Sequence, residues 1–255
     1  MDQVIRFRSA VALAGNFPVL AGVDLDVARG DVVLVRGSNG AGKTSLLRAC
    51  AGILRVVGGE AQVLGADLVR DQRAVRRRVG LLGHNSALYD EMTALDNVRF
   101  GLRAAGARAA AAEPAMQRLG LTGRLAGTRV GSLSAGQRRR VALSILVARH
   151  PELWLLDEPH AGLDADYRDL LDEIISSAAA AGTTVLLASH EAERSAPLAN
   201  RVVTIAGGVV ASVAAGPLAA AGPSEPAVAR PDPEGLPSEP APSSGFQAEA
   251  AGRVA

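Results

Sequence analysis

The stretch Val32-Val33-Leu34-Val35-Arg36-Gly37-Ser38-Asn39-Gly40-Ala41-Gly42-Lys43-Thr44-Ser45 decides the fold of this chain. It opens with four consecutive apolar residues, which is typical of a strand buried on both faces of a parallel sheet. A glycine-rich turn follows, and the residues from Thr44 to Leu54 have the pattern of a helix. A Gly-x-x-x-x-Gly-Lys-Thr sequence between a strand and a helix has the context of a phosphate-binding loop.

This loop is predicted to bind the phosphates of a nucleotide. Its glycines let successive backbone amides converge on a phosphate, and the helix N-terminus adds partial positive charge. Lys43 is expected to reach the β- and γ-phosphates, and the Thr44 hydroxyl is a ligand suited to Mg²⁺. Lys43 is the single lysine among 27 basic residues, which fits a cradle that admits only a compact ammonium. The predicted nucleotide-binding residues are Gly37, Ser38, Asn39, Gly40, Ala41, Gly42, Lys43, Thr44 and Ser45.

A second apolar run, Leu153 to Leu156, ends in the carboxylates Asp157 and Glu158. Ligands of open parallel sheets bind at the carboxyl ends of the strands, where both side chains can turn towards one site. Asp157 is expected to hold Mg²⁺, and Glu158 to act as the general base that polarises the attacking water. A solvated acidic turn is the alternative interpretation of the same two residues.

The remaining apolar runs indicate an α/β fold. Strands are predicted at Val19–Val27 and Val185–Ala188, and an Ala-, Leu- and Arg-rich helical stretch at about 92–149. Buried strands that alternate with helices favour a doubly wound α/β core. From Pro217 onward eight prolines fall in 39 residues, together with serine, glutamate, alanine and glycine, so residues 217–255 are predicted to be a disordered tail.

Composition and charge argue against a nucleic-acid-binding protein and against a membrane-spanning segment. The net charge is +1 and aromatic residues make up 3%, so the arginine runs 76–78 and 138–140 are expected to be solvated faces rather than nucleic-acid contacts. The charge-free stretch Val202–Ser224 contains glycines and a proline and is predicted to form a hairpin rather than a membrane span. Cys50 is expected to be a small core residue. We therefore expect a cytoplasmic protein whose membrane connection comes through a partner.

Three further motifs resemble those of ABC-type ATP-binding subunits. Leu133-Ser134-Ala135-Gly136-Gln137 resembles the signature sequence, which is usually Leu-Ser-Gly-Gly-Gln. Ala161-Gly162-Leu163-Asp164 resembles the D-loop, and His190 stands where the family has its switch histidine. The resemblance covers about residues 1–216. It implies a P-loop NTPase core with a parallel or mixed sheet, an N-terminal antiparallel β subdomain, and a helical subdomain inserted at about 85–135.

The resemblance also implies a mechanism. Two copies would sandwich two ATP molecules head to tail, so that a homodimer forms within a complex with membrane-spanning permease subunits. Ser134, Gly136 and Gln137 would contact the γ-phosphate at the site of the facing copy, at the N-terminus of a helix spanning about Ala135–Arg149. His190 would contact the γ-phosphate and help place the water, and Asp164 would tie the two sites together. Ser134 as an ordinary helix cap and His190 as a plain strand-end residue are the alternatives.

Two positions depart from the family pattern. His84 stands where the family usually has a glutamine, so it either ligates Mg²⁺ through a neutral imidazole or is a surface coupling residue. Phe17 is the nearest candidate to stack on adenine, although it lies later than the pattern expects. The segments Gly83–Asn97 and Arg36–Gly40 are similar to the haem-exporter type of cytochrome c biogenesis. An ABC-type ATPase of another exporter, one acting on ribosomes or in DNA repair, and a nucleotide-sensing regulator remain as alternatives.

Overall fold

The computed structural model describes residues 2–220 of the chain. Within them lie ten strands: β1 (Gln3–Ala14), β2 (Phe17–Ala28), β3 (Val32–Arg36), β4 (Val56–Val63), β5 (Ala66–Asp67), β6 (Val79–Leu82), β7 (Leu153–Asp157), β8 (Thr184–Ala188), β9 (Arg201–Ala206) and β10 (Val209–Ala215). The α-helices of the same residues are α1 (Lys43–Cys50), α2 (Ala94–Ala104), α3 (Ala112–Arg118), α4 (Ala135–Arg149), α5 (Ala165–Ala180), α6 (Ala192–Ser195) and α7 (Pro217–Ala220).

The central sheet has six strands in the order β10-β9-β3-β8-β7-β6. The strands from β9 to β6 are parallel, and only β10 runs antiparallel, as the second strand of a hairpin with β9. This confirms the predicted α/β class with a mixed sheet. It also confirms the hairpin predicted in the charge-free stretch. Since β3, β8 and β7 are neighbours, the phosphate-binding loop after β3 and the carboxylates after β7 meet at one edge of the sheet.

A second, antiparallel sheet packs against one face of the first, in the order β2-β1-β4-β5. Alternate residues of β3 show how the core is divided between two layers. Val33 and Val35 belong to the apolar cluster shared with the antiparallel sheet and α1, whereas Val32 and Leu34 belong to the cluster shared with α2–α5. Cys50 lies in the first cluster, fully buried, and burial raises the pKa of its thiol to about 12.

Helix boundaries differ from the sequence prediction in two places. The helix expected over Thr44–Leu54 ends at Cys50, because the amide of Ile53 bonds back to the carbonyl of Arg48 and closes the last turn. The first residues of the predicted disordered tail form α7, which the amide of Leu218 ties to the carbonyl of Ala199. The remainder of that tail, residues 221–255, lies outside the described residues. Among residues 2–220, no helix combines the length and apolar character that a bilayer span requires.

Candidate nucleotide-binding and catalytic site

The phosphate-binding loop joins β3 to α1 in the geometry that the sequence predicts. Gly42 precedes α1 with a φ of 111°, and a Cβ there would lie 2.9 Å from the carbonyl oxygen of Val19. Only glycine suits that position, since both the backbone angle and the space exclude a side chain. The Lys43 Nζ donates to the carbonyl oxygens of Gly37 (2.8 Å) and Ser38 (3.1 Å). Carbonyl groups of the loop thus hold the Lys43 ammonium beside the backbone amides of the same loop.

Thr44 and Asp157 are 113 residues apart in the sequence but are in contact in the structure. The Thr44 Oγ1 donates to Asp157 Oδ2 at 2.9 Å, and Asp157 is buried at the end of β7. A hydroxyl and a carboxylate are hard oxygen donors of the kind that Mg²⁺ prefers when phosphate and water complete its shell. Within residues 2–220, no cluster of three or more His, Cys, Asp or Glu side chains forms an all-protein metal cage. The donor set therefore fits a Mg²⁺ that is held jointly with a nucleotide.

Glu158 and His190 form a second polar pair beside the loop. The His190 Nδ1 lies 2.8 Å from Glu158 Oε2, and the His190 amide donates to the same oxygen at 3.3 Å. The hydrogen bond to Glu158 raises the pKa of His190 above its ordinary value. Glu158 has a φ of 48°, which an ordinary side chain adopts only where neighbouring contacts hold it. The pair can thus orient a water and exchange a proton.

Lys43, Thr44, Asp157 and Glu158 line one cleft of about 380 Å³, and His190 is not among the residues that line it. Its residues are Val19, Asn39, Gly40, Gly42, Lys43, Thr44, Ser45, His84, Asp157 and Glu158. His84 is exposed in the loop that follows β6 and joins the cleft from the side. Phe17 is exposed over 78% of its surface at the start of β2, and Val19 rather than Phe17 reaches the cleft.

The signature residues line a different cleft, of about 440 Å³, together with Gly162 and Asp164. Ser134 caps α4: its Oγ accepts from the Gln137 amide at 3.2 Å, and Gln137 Oε1 accepts from the Ser134 amide at 2.9 Å. The hydroxyl proton of Ser134 is not used in this capping box. The structure therefore does not bring Ser134, Gly136 and Gln137 together with Lys43 of the same chain.

The N-terminus of α4 packs directly on the loop before α5. A Cβ at Gly136 would lie 2.6 Å from the carbonyl oxygen of Gly162, so this contact admits only glycine. Asp164 caps α5 by accepting from the amide of Tyr167 at 3.1 Å. The signature and the D-loop thus form one continuous surface.

The arginine run 138–140 was expected to be a solvated face, and for two of its residues this is wrong. Arg139 and Arg140 are 4% and 9% exposed. Burial lowers the pKa of the Arg139 guanidinium, and the carboxylates of Asp157 and Glu158 act in the opposite direction. Consecutive helical residues point in directions about 100° apart, so a run of three in a core helix must turn at least one inward. That periodicity is the signal that could have identified Arg139.

His160 lies in the turn that follows β7. It is 1% exposed, and its Nε2 lies 2.7 Å from Asp172 Oδ1 of α5. The arginine run 76–78, in contrast, is exposed as predicted. The contact with Asp172 links the turn that contains His160 to α5.

Comparisons with known proteins identify the family of this chain. Residues 20–161 match the family described as ABC transporter. The chain is 41% identical over 217 residues to the daunorubicin resistance ATP-binding protein DrrA3 of Streptomyces coeruleorubidus, covering 82% of this chain and 68% of the relative. It is 43% identical over 171 residues to the cytochrome c biogenesis ATP-binding export protein CcmA of Bordetella bronchiseptica, covering 66% and 75%. For the CcmA of Xanthomonas axonopodis pv. citri the identity is 39% over 189 residues, covering 74% and 87%.

Solved structures support the same fold. The dimeric post-hydrolysis structure of the ATP-binding cassette MJ0796, bound to ADP and Pi, superposes with a TM-score of 0.76 at 22% identity and covers 83% of this chain and 98% of that one. The family model matches more than half of the chain, and the relatives described are close to 40% identical to it. The chain belongs to the ABC transporter family, as an ATP-binding subunit that hydrolyses ATP.

Proposed function

We propose that the chain hydrolyses ATP with Glu158 as general base and His190 as the residue that places the water and contacts the γ-phosphate. The 2.8 Å contact between these side chains, beside the loop that carries Lys43, is the observation that supports this assignment. Lys43 and the amides of residues 37–45 bind the triphosphate. Thr44 and Asp157 hold Mg²⁺, which when bound neutralises charge on the phosphates. His84 reaches the same cleft and is available to the metal or its water.

A homodimer completes the site. Ser134, Gly136 and Gln137 lie in a cleft separate from that of Lys43, so one chain cannot present both sets to one nucleotide without rearrangement. The N-terminus of α4 has unpaired amides and the hydroxyl proton of Ser134, which suit an anion. In the proposed dimer these groups bind the γ-phosphate held by the facing copy, and Asp164 lies at the contact between copies.

The membrane partner is proposed to bind an apolar groove of about 500 Å³ between α2, α4 and the loop after β6. Ile53, Tyr89 and Phe100 line it, each exposed over about half of its surface, and the Tyr89 and Phe100 rings meet edge to face at 5.1 Å. Exposed aromatic groups around a concavity are typical of a protein interface. Because His84 lines both this groove and the catalytic cleft, we propose a cytoplasmic segment of a permease as the occupant. The subunit would then lie peripherally on the cytoplasmic face of the membrane.

The cargo proposed for the complex is haem, exported for cytochrome c biogenesis. The support is the similarity to two CcmA proteins, one of which is matched over 87% of its length. Export of a drug-like polycyclic compound is the second candidate, because DrrA3 gives the longest of the alignments described above. To test the cargo, the chain is purified with whatever permease accompanies it, and bound haem is measured by its absorbance. Haem that co-purifies in proportion to the permease supports export of haem, and a haem-free complex with ATPase stimulated by anthracyclines supports the second candidate.

The catalytic assignment is tested with Glu158→Gln in the full-length chain. This change keeps a hydrogen-bonding side chain but removes the base, so we expect turnover to fall by about 100-fold or more while ATP still binds. Size-exclusion chromatography with ATP should then show a dimer that the wild type forms only transiently. Undiminished phosphate release by the variant would contradict the role of Glu158.

A further inference from the structure

Arg139 makes an unusual set of hydrogen bonds for a buried cation. Its guanidinium donates only to backbone carbonyls: Nε to Pro159 (3.3 Å), Nη1 to Gly83 (2.5 Å), and Nη2 to Asp157 (2.9 Å) and Glu158 (2.7 Å). A buried charge costs free energy unless hydrogen bonds compensate for the lost water. Four carbonyl oxygens supply that compensation. They belong to the last residue of β7 and to residues that follow β6 and β7, beside the catalytic cleft.

Three of these carbonyls surround the backbone of the proposed base. Glu158 has a left-handed φ of 48°, and such a conformation persists only where the surrounding structure fixes it. Arg139 holds the carbonyl before it, its own carbonyl and the one after it. On the opposite side, the Glu158 amide donates to the carbonyl of Ala188 at 2.9 Å. Arg139 therefore holds the backbone on both sides of Glu158, whereas the Glu158 carboxylate itself contacts His190.

The fourth carbonyl lies in another loop of the same cleft. Gly83 follows β6 and immediately precedes His84. The planar fork of a guanidinium can bond to both loops at once, which a single ammonium cannot do with the same geometry. The two loops are 74 residues apart in sequence at Gly83 and Asp157, and Arg139 fixes one relative to the other.

We propose that Arg139 is a positioning residue for ATP hydrolysis, which holds the backbones of Glu158 and His84 in register around the attacking water. The proposal rests on the proposed role of Glu158 as general base. The hydrogen bonds of Arg139 go to backbone carbonyls and to none of the side chains proposed to bind ATP or Mg²⁺. Its loss therefore displaces the catalytic groups without removing any group that binds ATP, and a displacement of about 1 Å can lower a rate by about 100-fold.

The chain offers a matched control at the other end of the same helix. Arg149 is half-buried, its pKa is likewise lowered by burial, and its Nη2 donates to the carbonyls of Arg76, Arg77 and Val79 at 3.0–3.4 Å. These carbonyls lie at or just before the start of β6, at the opposite end of that strand from His84. Arg149 thus also bonds to backbone carbonyls, but to none beside Glu158 or His84.

The test compares Arg139→Met and Arg149→Met in the full-length chain. Both changes remove hydrogen-bond donors from backbone carbonyls, so both should lower the melting temperature. Only Arg139→Met should lower kcat, by about 10- to 100-fold, with KM for ATP within about twofold of the wild type. Arg139→Lys should recover part of that kcat because it returns a donor and the charge. Equal kcat for Arg139→Met and Arg149→Met, or a loss confined to KM, would overturn the proposal.

A double-mutant cycle separates positioning from general destabilisation. If Arg139 acts through Glu158, adding Arg139→Met to Glu158→Gln should lower single-turnover hydrolysis much less than it does in the wild type. Fully additive losses would contradict the proposal, even if Glu158→Gln alone behaves as expected. If Arg139→Met does not fold, Arg139→Lys carries both comparisons, and wild-type kcat in that variant would overturn the proposal. Wild-type turnover in Glu158→Gln alone would instead contradict the proposed function.

Discussion

Glu158 and His190 illustrate how neighbouring charges act at the scale of single residues. The carboxylate accepts from both the side chain and the amide of His190, so it stabilises the protonated imidazole. His190 is exposed, and water weakens the contribution of such a pair to the free energy of unfolding. Its consequence is therefore chemical: the imidazole stays charged to a higher pH than an isolated histidine.

This charge state can be measured directly. The His190 pKa should lie above its ordinary value of 6.5 in the wild type. In Glu158→Gln it should fall towards 6.5, because the carboxylate is removed. The stabilisation from the pair is fully present below 6.5 and is lost as the pH rises through the raised pKa. Titration of the histidine ring by NMR measures both values, and identical midpoints in the two proteins would contradict the pairing.

Single residues also show where sequence interpretation succeeds and where it stops. The spacing from Gly37 to Thr44 predicts a phosphate-binding loop, because only a few residue types suit that backbone. The φ of Glu158 and the hydrogen-bond partners of Arg139 are not written in any local pattern. Both depend on which loops the central sheet brings next to α4, and that is a tertiary property.

At the scale of elements, the contact between α4 and the loop before α5 depends on the absence of one side chain. The carbonyl of Gly162 occupies the space where a Cβ of residue 136 would lie. Any larger residue must push the two elements apart, and overpacking of this kind typically costs about 1–3 kcal/mol. The signature residues 133–137 would then move away from the D-loop residues 161–164.

Gly136→Ala tests this contact, with Gly127→Ala as its control. Gly127 is exposed, and its nearest neighbour to a new Cβ would be 3.9 Å away. We expect Gly136→Ala to lower the free energy of unfolding by about 1–3 kcal/mol and to reduce ATP turnover, and Gly127→Ala to leave both unchanged. Denaturant titration and phosphate release measure the two effects. A Gly136→Ala protein as stable and active as the control would contradict the close approach.

Sequence patterns predict the elements better than their ends. Four consecutive apolar residues in each of β3, β7 and β8 identify these as buried strands. The last turn of α1 is closed by a hydrogen bond from the Ile53 amide to the carbonyl of Arg48. The apolar pattern of residues 44–54 continues past that point, so it does not show where the helix ends. The existence of a strongly patterned element thus follows from its sequence, whereas its last turn follows from its neighbours.

At the scale of the whole molecule, the two clefts indicate that the functional unit is a pair of chains. In a head-to-tail pair, a site combines Lys43 of one copy with Ser134 of the other. A Lys43→Ala chain should lose ATP binding, and a Ser134→Glu chain should place a negative charge against the phosphate, so each is inactive alone.

Mixing these two variants distinguishes shared sites from self-contained ones. A heterodimer of the two has one site with both defects and one site with neither, so hydrolysis should return when they are mixed. A mixture of Lys43→Ala with itself at the same total concentration is the control. Phosphate release that stays at the level of the separate variants would show that each chain serves its own nucleotide.

The solitary lysine has a practical consequence for work on this protein. An amine-directed acylating reagent has one lysine to react with in the given sequence, through the Nζ of Lys43. The Nζ is sheltered within the loop, with its hydrogen bonds to Gly37 and Ser38. Mass spectrometry of the acylated native chain would therefore read nucleotide occupancy at one defined side-chain atom, without any engineered label.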